Sequence, residues 1–170
     1  MERKYGFIDK NGKVVIEPQF DDASFFSEGL AQVKKDGKWG FIDKNGKVVV
    51  EPQFDYVVDF SEGLAQVIKD GKSGFIDKSG KVVIEPQFDD AGYFSEGLGG
   101  VEIDGKWGFI DKSGKVVIEP QFDEVRAFSE GFAQVEKDGK WGFIDKSGKV
   151  VIEPQFDNVF DFSEGFAWVQ

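Results

Sequence analysis

The pentapeptide Gly-Phe-Ile-Asp-Lys starts at Gly6, Gly40, Gly74, Gly108 and Gly142, always 34 residues apart, and five such periods account for all 170 residues. The whole chain is therefore repeat. Each unit must bury its apolar surface against its neighbours, because a segment of that length cannot enclose a core alone. A side chain that recurs in every unit builds a surface, whereas catalysis needs one asymmetric constellation. The units are 1–34, 35–68, 69–102, 103–136 and 137–170.

The same period is known for helical repeats, so the element type has to be argued from local chemistry. Lys-Asn-Gly-Lys or Lys-Ser-Gly-Lys follows each Gly-Phe-Ile-Asp, and Lys-Asp-Gly-Lys precedes Trp-Gly in the second and fifth units. Asn-Gly and Asp-Gly between β-formers signal tight hairpins, since their central positions need positive φ. Val14-Val15-Ile16 is β-branched and Pro18 follows closely, which a helix interior would not accept. Each unit thus predicts three strands in a meander: Leu-Ala-Gln-Val, Trp-Gly-Phe-Ile-Asp and Val-Val-Ile-Glu.

Two-residue loops in both hairpins would set Ile8 opposite Val15, Phe7 opposite Ile16, Val33 opposite Gly40 and Ala31 opposite Ile42. One face of the second unit then carries Trp39, Phe41, Val48, Val50 and Leu30. The other carries Gly40, Ile42, Val49, Val33 and Ala31. A bulky face and a small face, both apolar, predict sheets stacked bulky on small, as in propeller blades and some β-solenoids. Gly40 is expected to make room for the neighbouring unit's bulky side. The segment between the Pro and Ser-Glu-Gly, with fixed Phe20, Ala23 and Phe26, reads as a turn plus a short fourth strand.

The chain opens inside a second strand, at Tyr5, and closes on a first strand, Gly165–Gln170. Pairing of Phe166–Val169 with Tyr5–Asp9 would remove both bare edges. Trp168, where the other units have Gln32, Gln66, Gly100 and Gln134, would then oppose Phe7. The expected architecture is an all-β, closed five-fold, propeller-like ring, with an open β-solenoid of stacked hairpins as the alternative.

Lys38-Trp39-Gly40-Phe41-Ile42-Asp43, Gly46-Lys47-Val48-Val49, Glu51-Pro52-Gln53-Phe54 and the recurring Phe-Ser-Glu-Gly resemble the bacterial WG-repeat (KWG-repeat) family over all five units. Tyr5 and Ser73 depart from the family Trp, and Gly100 departs in a strand. Ser73 threatens a local cavity. The resemblance implies a β-rich interaction module, often joined to other bacterial domains, with no catalytic residues to transfer. The near-identity of the units also fits a designed or consensus-idealised protein, or a recent duplication.

Composition narrows the chemistry. Without Cys or His there is no disulfide, no thiolate metal site and no His-based triad. Net charge is −11 and the lysines stand singly beside turns, which disfavours nucleic acid and anionic membranes. No apolar run approaches the ~20 residues of a bilayer span, and Met-Glu-Arg-Lys-Tyr-Gly is not a signal region. A monomeric, cytoplasmic, non-enzymatic chain without cofactor or metal is expected. Asp9, Asp43, Asp77, Asp111 and Asp145 could suggest calcium, but Lys10 and Lys13 crowd the turn and favour a turn-stabilising role. Glu17, Glu28 and Asp21 could suggest a carboxylate hydrolase, yet five equal copies offer no pair with separated pKa values. Trp39, Trp107 and Trp141 would stack sugars if exposed, but their place on the bulky face predicts core.

The units differ chiefly in one loop, and loops are where a scaffold carries its specificity. The Ala/Val column of that loop (Ala23, Val57, Ala91, Val125, Val159) is structural. The free columns are Asp22, Ser24 and Phe25; Tyr56, Val58 and Asp59; Asp90, Gly92 and Tyr93; Glu124, Arg126 and Ala127; Asn158, Phe160 and Asp161. These are the candidate binding residues, with a protein or a glycan as partner. The competing expectation is an idealised structural scaffold with no ligand.

Overall fold

The computed structural model describes residues 3–170 and contains strands and turns, with no helix among the described residues. The chain divides into two compact units, Met1–Pro86 and Gln87–Gln170, each described by itself. In the first, β1 (Tyr5–Ile8) and β2 (Val14–Phe20) form a two-stranded sheet. A four-stranded meander follows: β3 (Asp22–Ser27), β4 (Leu30–Lys35), β5 (Lys38–Asp43) and β6 (Val48–Phe54). The next comprises β7 (Tyr56–Val57), β8 (Leu64–Lys69), β9 (Lys72–Asp77) and β10 (Val82–Phe88).

The second compact unit holds two more meanders. One is β11 (Asp90–Ser95), β12 (Leu98–Ile103), β13 (Lys106–Asp111) and β14 (Val116–Phe122). The other is β15 (Glu124–Val125), β16 (Phe132–Lys137), β17 (Lys140–Asp145) and β18 (Val150–Phe156). The fourth strand exists in every complete sheet. It is six residues long and bulged in β3 and β11, but two residues long in β7 and β15.

The Asp-Gly hairpin forms as the sequence predicts. Asp36 (φ 52) and Gly37 (φ 79) both lie in the left-handed region, and Val33↔Gly40, Gln32↔Phe41 and Ala31↔Ile42 pair in register. The Asn-Gly turn differs. Only Gly12 has positive φ; its N–H donates to the Asp9 carbonyl (3.0 Å), while the Asp9 N–H donates to the Lys13 carbonyl (2.9 Å). This is a three-residue loop with a left-handed Gly, one residue longer than a two-residue hairpin. Phe7↔Ile16 holds, but Ile8 pairs with Val14 instead of Val15. Likewise Ile42 pairs with Val48, which moves Val48 to the small face, while Val49 packs beside Trp39 against the cluster containing Phe41 and Val50. Asp9 serves the turn: its Oδ1 accepts from the N–H groups of Asn11 (2.8 Å) and Lys13 (3.0 Å).

A second irregularity explains the Gly of Trp-Gly. Trp39 pairs with Phe54 and Phe41 with Val50, so Gly40 alone opposes residues 51–53. A Cβ there would sit 2.7 Å from the Pro52 nitrogen and 2.9 Å from the Glu51 carbonyl carbon, and would also collide with the Val50 carbonyl oxygen. The constraint comes from the backbone of its own sheet, not from the next sheet's side chains as the sequence suggested. Pro52 is tolerated because β6 is an edge strand and bulged.

Sheets stack bulky on small within each compact unit. Leu30, Phe41 and Val50 of one sheet meet Ala65, Val67 and Ile76 of the next. Leu98, Phe109 and Ile118 likewise meet Ala133, Val135 and Ile144. The Phe of Phe-Ser-Glu-Gly locks each layer edge-to-face on the preceding Gly-Phe: Phe41–Phe60 at 5.0 Å and Phe109–Phe128 at 4.8 Å. Such pairs contribute roughly 0.5–1.5 kcal/mol each beyond their burial. Ser73 leaves no orphan: it is 1% exposed, and its Oγ accepts from Gln66 Nε2 at 3.0 Å.

Each terminal segment pairs locally among the described residues. β1 is hydrogen-bonded in a sheet with β2. The C-terminal residues fold back on their own loop: Val169 bridges Val159, Phe160 N–H donates to the Trp168 carbonyl (3.1 Å), and Phe166 pairs with Ser163. The Val159–Val169 bridge uses the edge of the last strand that faces its own loop, as Val125↔Val135 does in the preceding sheet. Trp168 meets Phe160 at a tilted, edge-type angle with ring centroids 5.8 Å apart and is 78% exposed. The architecture stands as all-β, five repeats of antiparallel strands.

Candidate binding cleft

Two first-strand glutamines, Gln32 and Gln134, have a partner in the variable loop 27 residues later, whereas Gln66 bonds Ser73. Gln32 Nε2 donates to Asp59 Oδ1 at 2.5 Å, and Gln134 Nε2 donates to Asp161 Oδ1 at 2.5 Å. These bonds cover the sheet end and leave the carboxylate tethered. Between β11–β14 and the loop after β15 both partners are truncated: Gly100 stands in the Gln position and Ala127 in the Asp position. The paired truncation opens a cleft of about 450 Å³ lined by Gly100, Ala127, Trp107, Arg126, Asp161 and Tyr93, among others. That volume lies within the roughly 300–1,000 Å³ of ligand sites.

Trp107 forms the aromatic wall. A Cβ on Gly100 would stand 3.6 Å from its Cε3 and Cζ3 atoms, so the missing Gln side chain would have begun against this ring. Of the equivalent tryptophans, Trp141 is buried beneath the Arg126 guanidinium (4.6 Å), while Trp39 is half-buried with Lys34 5.7 Å and the Tyr56 ring 6.4 Å from its ring. Trp107 is half-buried and lines the cleft, where the sequence placed it in the core. Phe109, Phe128 and Val125 supply further apolar wall, and Gly92 leaves the side beside Tyr93 open.

The polar groups are fixed in place. Arg126 Nη1 donates to Gln134 Oε1 (2.6 Å) and to the Val159 carbonyl (3.2 Å), while its plane lies over Trp141. Asp161 is held by Gln134. Ser95 Oγ donates to the Phe128 carbonyl at 2.7 Å, and Ser129 completes the lining. A tethered guanidinium and a tethered carboxylate thus share one aromatic-walled cleft. The arrangement can hold a ligand.

Of the residues singled out by loop variation, Gly92, Tyr93, Arg126, Ala127 and Asp161 converge here. The first column does not. Asp22, Tyr56, Asp90 and Glu124 pair across their sheets with Lys34, Ile68, Glu102 and Glu136, and Asn158 with Gln170. Ser24 and Phe25 sit on a separate shallow recess beside Tyr5, with Phe25 88% exposed. Val58 N–H bonds the Gln66 carbonyl, Asp59 is tied to Gln32, and Phe160 borders Phe166 and Trp168. The sequence missed Trp107, Ser95 and Ser129; the signal for Trp107 was Gly100, visible as an odd residue but not linked to Ala127.

The recurring carboxylates have structural duties. Asp21, Asp55, Asp123 and Asp157 form ion pairs with Lys4, Lys38, Lys106 and Lys140. Hydrogen bonds from Lys4, Lys38 and Lys106 hold Asp21, Asp55 and Asp123 below the usual carboxylate range, helped by the N–H groups of Asp36, Asp70 and Asp138. In the Ser-Gly turns the hydroxyls of Ser79, Ser113 and Ser147 lower Asp77, Asp111 and Asp145. Glu28 accepts from Gly63 N–H (3.2 Å) and pairs with Lys78 (3.3 Å). No cluster of three or more potential metal-ligating side chains exists among the described residues.

Among solved structures, a surface component of the type-IX secretion system of Porphyromonas gingivalis, PorZ, shares 12% identity at a TM-score of 0.43, covering 95% of this chain and 26% of that one. This chain spans about a quarter of PorZ. A protein of unknown function from Bacteroides caccae shares 14% identity at a TM-score of 0.35, covering 89% of this chain and 74% of that one. A plant lectin with two metal-binding sites from Cicer arietinum shares 15% identity at a TM-score of 0.31, covering 84% and 88%. At these scores no conclusion about ligand rests on them. No curated protein matches the chain. The family model for the WG-containing repeat matches residues 5–39, 39–72, 74–107, 107–141 and 141–170, and the chain belongs to that family.

Proposed function

We infer that this protein is a non-enzymatic binding module and that its ligand enters the cleft over Trp107. The carrying observation is the paired loss at Gly100 and Ala127, where Gln32–Asp59 and Gln134–Asp161 are hydrogen-bonded. Five variable residues from three loops meet at that gap, which supports binding by loop variation on a constant frame. The absence of His and Cys from the sequence, and the engagement of recurring carboxylates in ion pairs and turns, favour binding over catalysis. The acidic net charge of −11 argues against nucleic acid and anionic membrane as partners. The module is taken to act as a monomer.

The test is to restore the pair. Gly100→Gln with Ala127→Asp writes the frame's own residues into the gap. Wild type and the double variant are screened against a displayed peptide library and an array of oligosaccharides. Binders that the double variant loses establish the cleft as the site. If wild type selects nothing that the double variant loses, the chain is a ligand-free scaffold.

A further inference from the structure

The cleft combines features that select among ligand classes. One wall is the Trp107 ring, beside which Gly100 and Gly92 carry no side chain. Its polar wall carries Asp161, an acceptor, and Arg126, a donor, each pinned by Gln134. An anionic ligand would meet the Asp161 carboxylate and a chain of net charge −11. A cationic ligand would meet Arg126. A wholly apolar ligand would strip water from both charges without replacing their hydrogen bonds, which is costly. A neutral polyhydroxylated ring avoids all three conflicts, because every hydroxyl both donates and accepts. It can hydrogen-bond Asp161 and Arg126 at once while its C–H face lies on Trp107.

We propose that the cleft binds a neutral saccharide, one pyranose ring stacked on Trp107 with adjacent hydroxyls bridging Asp161 and Arg126; this rests on the cleft being the binding site. Tyr93 and Ser129, both hydroxyl-bearing, line the same space. The tether matters as much as the charge. Gln134 donates to Asp161 and accepts from Arg126, so both groups are oriented before the sugar arrives and little ordering is left for binding.

The experiment is saturation-transfer NMR with methyl glycosides of glucose, galactose, mannose and N-acetylglucosamine, backed by an array of neutral oligosaccharides. Transfer should concentrate on the ring C–H protons of at least one glycoside. Trp107→Ser should weaken binding about tenfold or more. Its melting temperature checks that it folds, because Ser73, at this position of the third unit, is hydrogen-bonded by Gln66, whose place is taken here by Gly100. Trp39→Ser, the same change away from the cleft, should leave binding unaltered. Gly100→Gln with Ala127→Asp should abolish it. Saccharide binding that survives the double variant, or that falls equally with Trp39→Ser, overturns the proposal. If no neutral saccharide binds but displayed peptides do, and the double variant loses them, the saccharide assignment fails while the binding site stands. If neither probe gives cleft-dependent binding, both fail.

Discussion

At the residue scale, glycines of identical appearance in the sequence do different work. Gly40 is required by the backbone of the adjoining bulge, whereas a Cβ on Gly92 would meet nothing within 4 Å. Gly40→Ala should destabilise by roughly 1–3 kcal/mol, since the crowding atoms are main chain and cannot turn aside. At ~2–4 °C per kcal/mol for a chain of this size, the melting temperature falls measurably. Gly92→Ala should leave it unchanged. Equal melting temperatures for the two variants would mean that the Pro52 bulge is not as close as described. The sequence identified Gly40 as indispensable but assigned the wrong neighbour, because a bulge places three residues opposite one and no pattern in the composition announces it. Gly100 was legible only as an anomaly. Its meaning depends on Ala127, 27 residues away, and on a hydrogen bond that neither residue makes.

At the scale of the element, the two hairpins show what turn chemistry can and cannot specify. Asp-Gly led to the correct register because both residues accept positive φ. Asn-Gly and Ser-Gly admit a longer loop, and the preceding Asp chooses it by accepting two main-chain N–H groups. A slip of one residue then exchanged Val48 and Val49 between faces. The three strands, the meander and the bulky-on-small stacking were nonetheless readable, since they follow from β-branching and side-chain size. The ion pairs between elements give a pH signature. Asp55 titrates below the ordinary Asp value of 3.8, chiefly through the Lys38 hydrogen bond. Its folded value lies under its unfolded one, so its stabilising contribution is complete above the ordinary value and disappears as pH falls through the folded value. The same holds for Asp21 and Asp123. Stability should therefore hold from neutral pH to about pH 4 and decline below it. Lys38→Met should raise the Asp55 midpoint in a carboxyl NMR titration; an unmoved midpoint would show that the pair does not persist in solution.

At the scale of the whole molecule, near-identical repeats make each unit a control for the others. The double substitution Gly100→Gln with Ala127→Asp should keep or raise the melting temperature, since it adds a frame hydrogen bond seen twice elsewhere. The Cβ introduced on Gly100 would come 3.2 Å from Val125 Cγ2, a tight but yielding contact. A melting temperature lower by several degrees would show that the cleft is needed for folding. The interlocked Gln and Asp have a wider consequence. In this array a recess is made by subtraction: two side chains are shortened and the main chain need not move. Gln32–Asp59 and Gln134–Asp161 are then closed doors of the same pattern. Gln32→Gly with Asp59→Ala should unlatch one, so that recognition could migrate along the chain by whole periods, leaving the scaffold's folding problem already solved.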